Sequence, residues 1–141
     1  MKSYFTIEEL SQSETAIELG IDNYPDNDIQ VNLQRLIDFL NPIRQAWGSA
    51  IIVTSGYRCP KLNKILGGSD TSAHQIGFAA DLVPENGKME EFKRFIVDYI
   101  TENKLQWDQV LLEHSKTLEW IHIGLFNMYG KQRMQIKHMF I

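Results

Sequence analysis

The sequence has one cysteine, no long apolar run and no cluster of basic residues. The lone cysteine, Cys59, excludes an internal disulfide, so folding does not require an oxidising compartment. No apolar run approaches the roughly 18 residues of a membrane-spanning helix, and acidic residues stand near the N-terminus where a signal peptide would be apolar. We therefore expect a soluble protein, cytoplasmic on synthesis, without a signal peptide and without a membrane partner.

The 14 lysines and arginines are scattered singly, and the net charge is −4. This distribution does not favour binding to a phosphate backbone, so nucleic acid is not an expected partner. Hydrophobic residues make up 43% of the chain and charged residues 23%, which is ordinary for a globular protein. The length of 141 residues predicts a single domain over residues 1–141, and we expect a monomer.

Helical patterns occur in several places, including a second possible start at Ser13-Glu14 and one or two turns over 61–66 after Pro60. A capping-box pattern predicts a short helix that begins at Ile7. Apolar residues at helical spacing predict a long core helix over 29–47, capped by Asp28, and Pro42 predicts a kink or a restart within it. The same spacing predicts a second core helix over 88–102.

Short β-branched segments between the helices predict the strands. Two of them, 109–113 and 120–124, are joined by a loop short enough for a hairpin. Mixed helices and mostly sequential strands favour an α+β fold, with a small, mostly antiparallel sheet on which helices pack. The other predicted strands are 50–54, 78–83 and 133–140.

An imidazole and a carboxylate, His74 and Asp81, stand seven residues apart around Gly77. Both are zinc ligands in type. A straight strand would separate them by roughly 23 Å, and a straight helix by roughly 10 Å, so neither would let both side chains reach one ion. A shared metal therefore requires a bend, and glycine adopts unusual backbone angles at the least cost.

A third ligand has to come from the remaining histidines, which are His114, His122 and His138. His122 is the strongest candidate because it lies in the middle of a predicted strand and shares a face with Trp120. Two histidines, one carboxylate and a fourth position left to water are typical of a catalytic zinc site. The spacing alone does not establish this site, since short patterns often match by chance.

Several sequence blocks in order resemble the zinc D-alanyl-D-alanine carboxypeptidase family, which includes VanX-type dipeptidases and phage peptidoglycan endopeptidases and shares its fold with hedgehog signalling domains. The N-terminal segment and Asn41-Pro-Ile-Arg44 are similar to short, single-domain phage and prophage members. The blocks are Ser55-Gly-Tyr-Arg58, Asn63, Gly67-Gly68, Ser72-x-His74-x-x-Gly77-x-Ala79-x-Asp81 and Trp120-Ile-His122.

The resemblance implies that His74, Asp81 and His122 bind Zn²⁺. It also implies a role for Arg58, whose planar guanidinium suits holding a substrate carboxylate or polarising the scissile carbonyl. Ser72 stands near enough to His74 to orient the ligand or the substrate, or simply to form a turn. Trp120 is a candidate for a wall of the substrate cleft or for packing.

Two glutamates compete for the role of general base, Glu113 and Glu119. Glu119 stands three residues before His122, as in VanX-type members, but an odd offset within a strand puts two side chains on opposite faces. If Leu111 pairs with His122 across the hairpin, Glu113 pairs with Trp120 and shares the face of His122. This register favours Glu113.

The ligand set predicts a zinc enzyme, and the resemblance implies a zinc metallopeptidase, of the DD-carboxypeptidase or murein endopeptidase type, that hydrolyses D-alanine-containing peptide bonds in peptidoglycan stem or cross-link peptides. Zinc would activate a water molecule, and a glutamate would act as the base. Phage lysis through a holin, or delivery on a virion, would bring the protein to the cell wall. The alternative is a non-catalytic peptidoglycan-binding or virion structural module that retains the fold and the zinc.

Overall fold

The computed structural model describes residues 2–141, which form four α-helices, one short 3₁₀ helix and a five-stranded sheet. The helices are α1 (Glu14–Leu19), α2 (Asn27–Trp47), α3 (Pro60–Ile65) and α4 (Met89–Glu102), and the 3₁₀ helix is Ala73–Ile76. The strands are β1 (Ile51–Ser55), β2 (Ala79–Pro84), β3 (Gln109–His114), β4 (Glu119–Gly124) and β5 (Gln135–Phe140).

The N-terminal helix predicted from Ile7 is wrong, because the chain there makes only turns. The Thr6 hydroxyl does accept from the backbone N–H of Glu9, as in a capped helix. The chain does not continue as a helix, and the first α-helix, α1, begins at Glu14 after the Ser13 cap. A single capped turn is not stable as a helix, since nucleation of a helix is unfavourable and further turns form only where tertiary packing stabilises them.

The long helix α2 is capped by Asp26 instead of Asp28, and it continues through Pro42 to Trp47. The predicted restart is therefore not found. Leu40 and Ile43, on either side of the proline, are both buried in the core, so tertiary packing holds the helix together across the missing backbone donor.

The sheet has the strand order β1-β2-β4-β3-β5. The first three pairings are antiparallel and β3 with β4 forms the predicted hairpin, whereas β5 runs parallel to β3. The predicted α+β class and the mostly antiparallel sheet are confirmed, and the parallel edge strand makes the sheet mixed.

One face of the sheet carries the core. Alternate residues of β2, β3 and β4 are fully buried on it, and α4 packs against β2 and β4 while α2 packs against α4. The opposite face keeps the polar residues of the same strands, because successive side chains of a strand point to opposite sides. This polar face is where the candidate ligands lie.

No helix among residues 2–141 is both long enough and apolar enough to cross a membrane.

Candidate metal centre and its cleft

His74 is positioned by a tight turn. The Ser72 hydroxyl accepts from the backbone N–H of His74 and caps the 3₁₀ helix, and Gly77 ends it with φ 81° and ψ 16°. These left-handed angles favour glycine. The chain then enters β2, so the bend between His74 and Asp81 that a shared metal requires is present.

Asp81 lies in β2 between two strands that bring other site residues beside it. It pairs with His122 of β4 on one side. On the other side it pairs with Ser55 of β1, after a register shift in that strand between Val53 and Ser55. The strand β1 then leads directly into Arg58.

The three candidate ligands converge on one point. Nε2 of His74 lies 3.3 Å from Oδ1 of Asp81, and Nδ1 of His122 lies 3.1 Å from the same oxygen. In the described chain these residues offer ligand atoms that all lie within 4.8 Å of one another. Neighbouring ligand atoms around tetrahedral zinc are about 3.3–3.4 Å apart when the bonds are about 2.0–2.1 Å. The cluster therefore fits a zinc ion.

A backbone carbonyl decides which nitrogen of His74 is free for a metal. Nδ1 lies 2.7 Å from the carbonyl oxygen of Gly56, and because a carbonyl only accepts, Nδ1 carries the proton. The lone pair of the neutral ring is then on Nε2, which faces the Asp81 carboxylate. A buried lone pair that faces a carboxylate oxygen is unfavourable unless a proton or a cation lies between them.

The charge states of the cluster also suit a metal. Burial by itself would raise the pKa of the Asp81 carboxyl, but the imidazoles of His74 and His122 hold it well below its usual range. Burial lowers the pKa of His74, and the neighbouring Asp81 offsets this only in part. An ionised carboxylate and a neutral imidazole are the forms that bind a metal ion.

Arg58 holds the other oxygen of the Asp81 carboxylate. Its Nη2 lies 3.3 Å from Oδ2 of Asp81, and its Nε donates to the Ser55 hydroxyl at 2.9 Å. Nη1 is 3.4 Å from the side-chain oxygen of Asn63. The guanidinium therefore orients Asp81 so that Oδ1 faces the two imidazoles.

The cluster opens into a cleft of about 570 Å³ that is also lined by Ser72, Trp120 and Glu113. Leu111 pairs with His122 and Glu113 with Trp120, which confirms the predicted hairpin register. Burial raises the pKa of Glu113, and the negative charge of Asp81 raises it further. A half-buried carboxyl that shares a face with a metal cluster has the chemistry of a proton acceptor.

Glu119 is not among the described residues that line this cleft. It lies within β4, so its odd offset from His122 directs it to the other face. Its carboxylate pairs there with Lys93 of α4, beside a separate cavity that also contains His114. His138 lies in β5 opposite Leu112, which is on the core face of β3.

The cleft contains an ion pair, between a buried aspartate and an exposed arginine, that sequence reasoning missed. Asp108 is 2% exposed and accepts from both Nε and Nη2 of Arg133, each at 2.7 Å. Both residues line the cleft, together with Lys137 and Met139 of β5. Only the pairing of β5 with β3 brings Lys137 and Met139 to the site, and no motif in the sequence indicates that pairing.

The N-terminal segment supports the loop that holds His74. The backbone N–H of Tyr57 donates to the carbonyl of Leu10 at 2.6 Å, and a Cβ at Gly56 would collide with that same carbonyl. The backbone N–H of Arg58 in turn donates to the carbonyl of His74 at 3.0 Å. The loop is thus fixed between the N-terminal turn and the 3₁₀ helix.

A family model described as Peptidase M15 matches residues 3–124. The match contains all the residues of the cluster, the Gly77 turn and both candidate bases, and it ends at the last residue of β4. No curated protein sequence matches the chain.

Proposed function

Since this chain belongs to the peptidase M15 family, whose members are zinc-dependent metallopeptidases, we propose that it hydrolyses D-alanine-containing peptide bonds in peptidoglycan. The observation that supports this function most directly is the convergence of His74 Nε2, Asp81 Oδ1 and His122 Nδ1 beside a half-buried glutamate. A structural zinc site would be closed by four protein ligands, whereas a site of three leaves a position for chemistry.

In this proposal the metal is held by the three side chains of the cluster. A zinc ion there supplies a Lewis acid that polarises the scissile carbonyl and lowers the pKa of a water molecule. The positions of His74 and Asp81 are supported by the Gly56 carbonyl and by Arg58, because such outer hydrogen bonds keep ligands oriented.

Glu113 is the proposed general base. Its carboxylate accepts a proton from the attacking water as the new C–O bond forms, and it delivers that proton to the amine nitrogen as the C–N bond breaks. Its place in the cleft supports this assignment, and the ion pair of Glu119 with Lys93 on another surface argues against Glu119.

Arg58 has a second proposed role besides orienting Asp81. Some of its N–H groups remain available to the cleft, because a guanidinium has five and three of them contact Ser55, Asn63 and Asp81. We assign these groups to the substrate, either as an anchor for a carboxylate or as donors to the carbonyl oxygen in the transition state. Ser72 and Trp120 would contact the bound peptide from the walls.

The choice of peptidoglycan, and of a phage or prophage endolysin, rests on sequence resemblance. Release through a holin, or delivery on a virion, is the proposed route to the cell wall. Both the carboxypeptidase mode and the endopeptidase mode fit an open cleft, and the products of digestion distinguish them.

The test is mass spectrometry of muropeptides after digestion with zinc-loaded and chelator-treated protein. We expect new peptide termini only with zinc, and the termini identify the bond. His74→Ala should lose both zinc and cleavage, while the matched control His138→Ala keeps both. Zinc binding without new termini would contradict the proposal and would favour a non-catalytic binding module.

A further inference from the structure

The strand β5 adds residues to the cleft from beyond the segment that the family model matches. The match ends at residue 124, and β5 spans Gln135–Phe140. Nevertheless Lys137 and Met139 line the same cleft as the metal cluster. This part of the cleft is therefore a place where the chain can have its own substrate specificity.

A row of directly paired residues crosses all five strands and contains two of the three candidate metal ligands as well as Lys137. It consists of Ser55, Asp81, His122, Leu111 and Lys137. Paired residues of neighbouring strands project from the same face of a sheet. Lys137 stands two strands beyond His122, which is about 10 Å at roughly 4.8 Å per strand.

The lysine and the two arginines that line the cleft differ in whether they have an acidic partner. Arg58 is paired with Asp81, and Arg133 is paired with the buried Asp108. Lys137 forms no ion pair with any residue of the described chain, although it is exposed and lines the cleft. It is thus a free cation at the end of the cleft opposite the ligands His74 and Asp81.

We propose that Lys137 forms a carboxylate subsite for an acidic residue of the substrate peptide. The proposal rests on the function proposed above, since it concerns the peptide cleaved at the same site. An extended peptide advances about 3.3 Å per residue, so about 10 Å corresponds to two or three residues from the scissile bond.

The flanking residues suit such a peptide. Leu111 lies between His122 and Lys137 in the row, so a peptide crossing the strands would pass over an apolar side chain between the metal and the cation. Met139 and Trp120 lie in the next row, with Glu113 between them. The recognised class is therefore a peptide with an apolar segment at the reacting bond and a free carboxylate two or three residues away.

The experiment uses synthetic D-alanine-containing peptides in which one glutamate occupies the second or third residue on either side of the bond. Each has a glutamine counterpart that differs only by the carboxylate. Calorimetry measures the Kd of each pair for zinc-loaded Glu113→Gln protein, so binding is read without hydrolysis. We expect one position at which glutamate binds about fivefold more tightly than glutamine, the upper range for an exposed ion pair.

Adding Lys137→Gln to this protein should abolish the preference and leave the affinity for the glutamine peptide unchanged. Lys116→Gln, in the loop between β3 and β4, removes the same charge away from this cleft and should keep the preference. Equal binding of all pairs to the protein with Lys137 intact would overturn the subsite. So would an equal loss of both peptides in the Lys137 variant, because that indicates a structural role.

Hydrolysis by the protein with Glu113 intact separates this proposal from the proposed function. Cleavage of every peptide without a carboxylate preference would contradict the Lys137 subsite and support the proposed peptidase activity. A carboxylate preference in binding without any cleavage would support the subsite and contradict the peptidase activity.

Discussion

Replacing Gly77 with alanine tests whether the bend between His74 and Asp81 controls the site. Gly77 has φ 81°, and an added Cβ would lie 3.1 Å from both Cγ2 and the carbonyl oxygen of Ile29 and 3.2 Å from Cγ of Leu33. The left-handed angles cost roughly 1–2 kcal/mol for a residue with a Cβ, and overpacking of this kind costs roughly 1–3 kcal/mol.

The expected loss of unfolding free energy is therefore about 2–5 kcal/mol. Unfolding entropy of about 2.1 cal/mol/K per residue converts this, for a chain of 141 residues, to a Tm lower by roughly 7–17 °C. The assay is thermal unfolding of the zinc-free protein, followed by zinc competition against a chromophoric chelator. We expect weaker zinc binding because relieving the crowding moves His74 relative to Asp81.

Gly87→Ala is the matched control. Gly87 also has a positive φ, 75°, but an added Cβ would meet nothing within 4 Å. It should cost only the roughly 1–2 kcal/mol of the left-handed angles, which is about 3–7 °C in Tm, and it should leave zinc affinity unchanged. A Gly77→Ala protein that unfolds no earlier than Gly87→Ala would refute the argument from crowding. Unchanged zinc affinity in Gly77→Ala would refute the argument that the turn sets the ligand geometry.

Three further predictions concern the metal and the two glutamates. Zinc present at about 100 times its Kd adds about 2.7 kcal/mol to the free energy of unfolding. Removing it with a chelator should therefore lower the Tm by roughly 9 °C. A Tm that the chelator leaves unchanged would contradict zinc binding by the folded state. Glu113→Gln should keep zinc, measured by elemental analysis, and lose about 10²–10⁴-fold in kcat, whereas Glu119→Gln should stay within a few-fold; the reverse result would make Glu119 the base. In the zinc-free protein, burial raises the pKa of the Glu113 carboxyl, and the charge of Asp81 raises it further. The folded state therefore binds the Glu113 proton more tightly than the unfolded state does. The free energy of unfolding falls as pH rises from the unfolded value of about 4.3 through the raised pKa. Glu113→Gln should therefore be more stable than the unsubstituted protein at pH 7 and lose that advantage at acidic pH, which urea unfolding at both pH values checks; an advantage independent of pH would show that Glu113 is not the group responsible.

The bend at Gly77 and the hairpin register could be predicted because both depend on short-range rules. Two ligand types around a glycine require a turn if they share an ion, and a hairpin with a short loop has few possible registers. The register in turn put Glu113 beside Trp120 and on the face of His122. These features needed no knowledge of distant parts of the chain.

The remaining features depend on contacts between distant segments. The start of β4 decides the direction of Glu119, and Lys93 from α4 supplies its partner. Likewise, Lys137 and Met139 join the cleft only because β5 returns parallel to β3. A strand pattern indicates that a segment is extended, but it does not indicate which neighbour the segment chooses or in which direction.

The hydrogen bond from His74 to the Gly56 carbonyl limits how far this site can be transplanted. The Gly56–Tyr57 peptide is seated on the backbone of Leu10, so the tautomer of a metal-facing imidazole depends on a segment that contains none of the motif residues. A graft that carried only the residues from Ser72 to Asp81 into another scaffold would leave that ring free to rotate and to move its proton. A portable version of the motif must therefore include two more non-contiguous pieces, the Gly56–Tyr57 segment and the N-terminal turn that supports it.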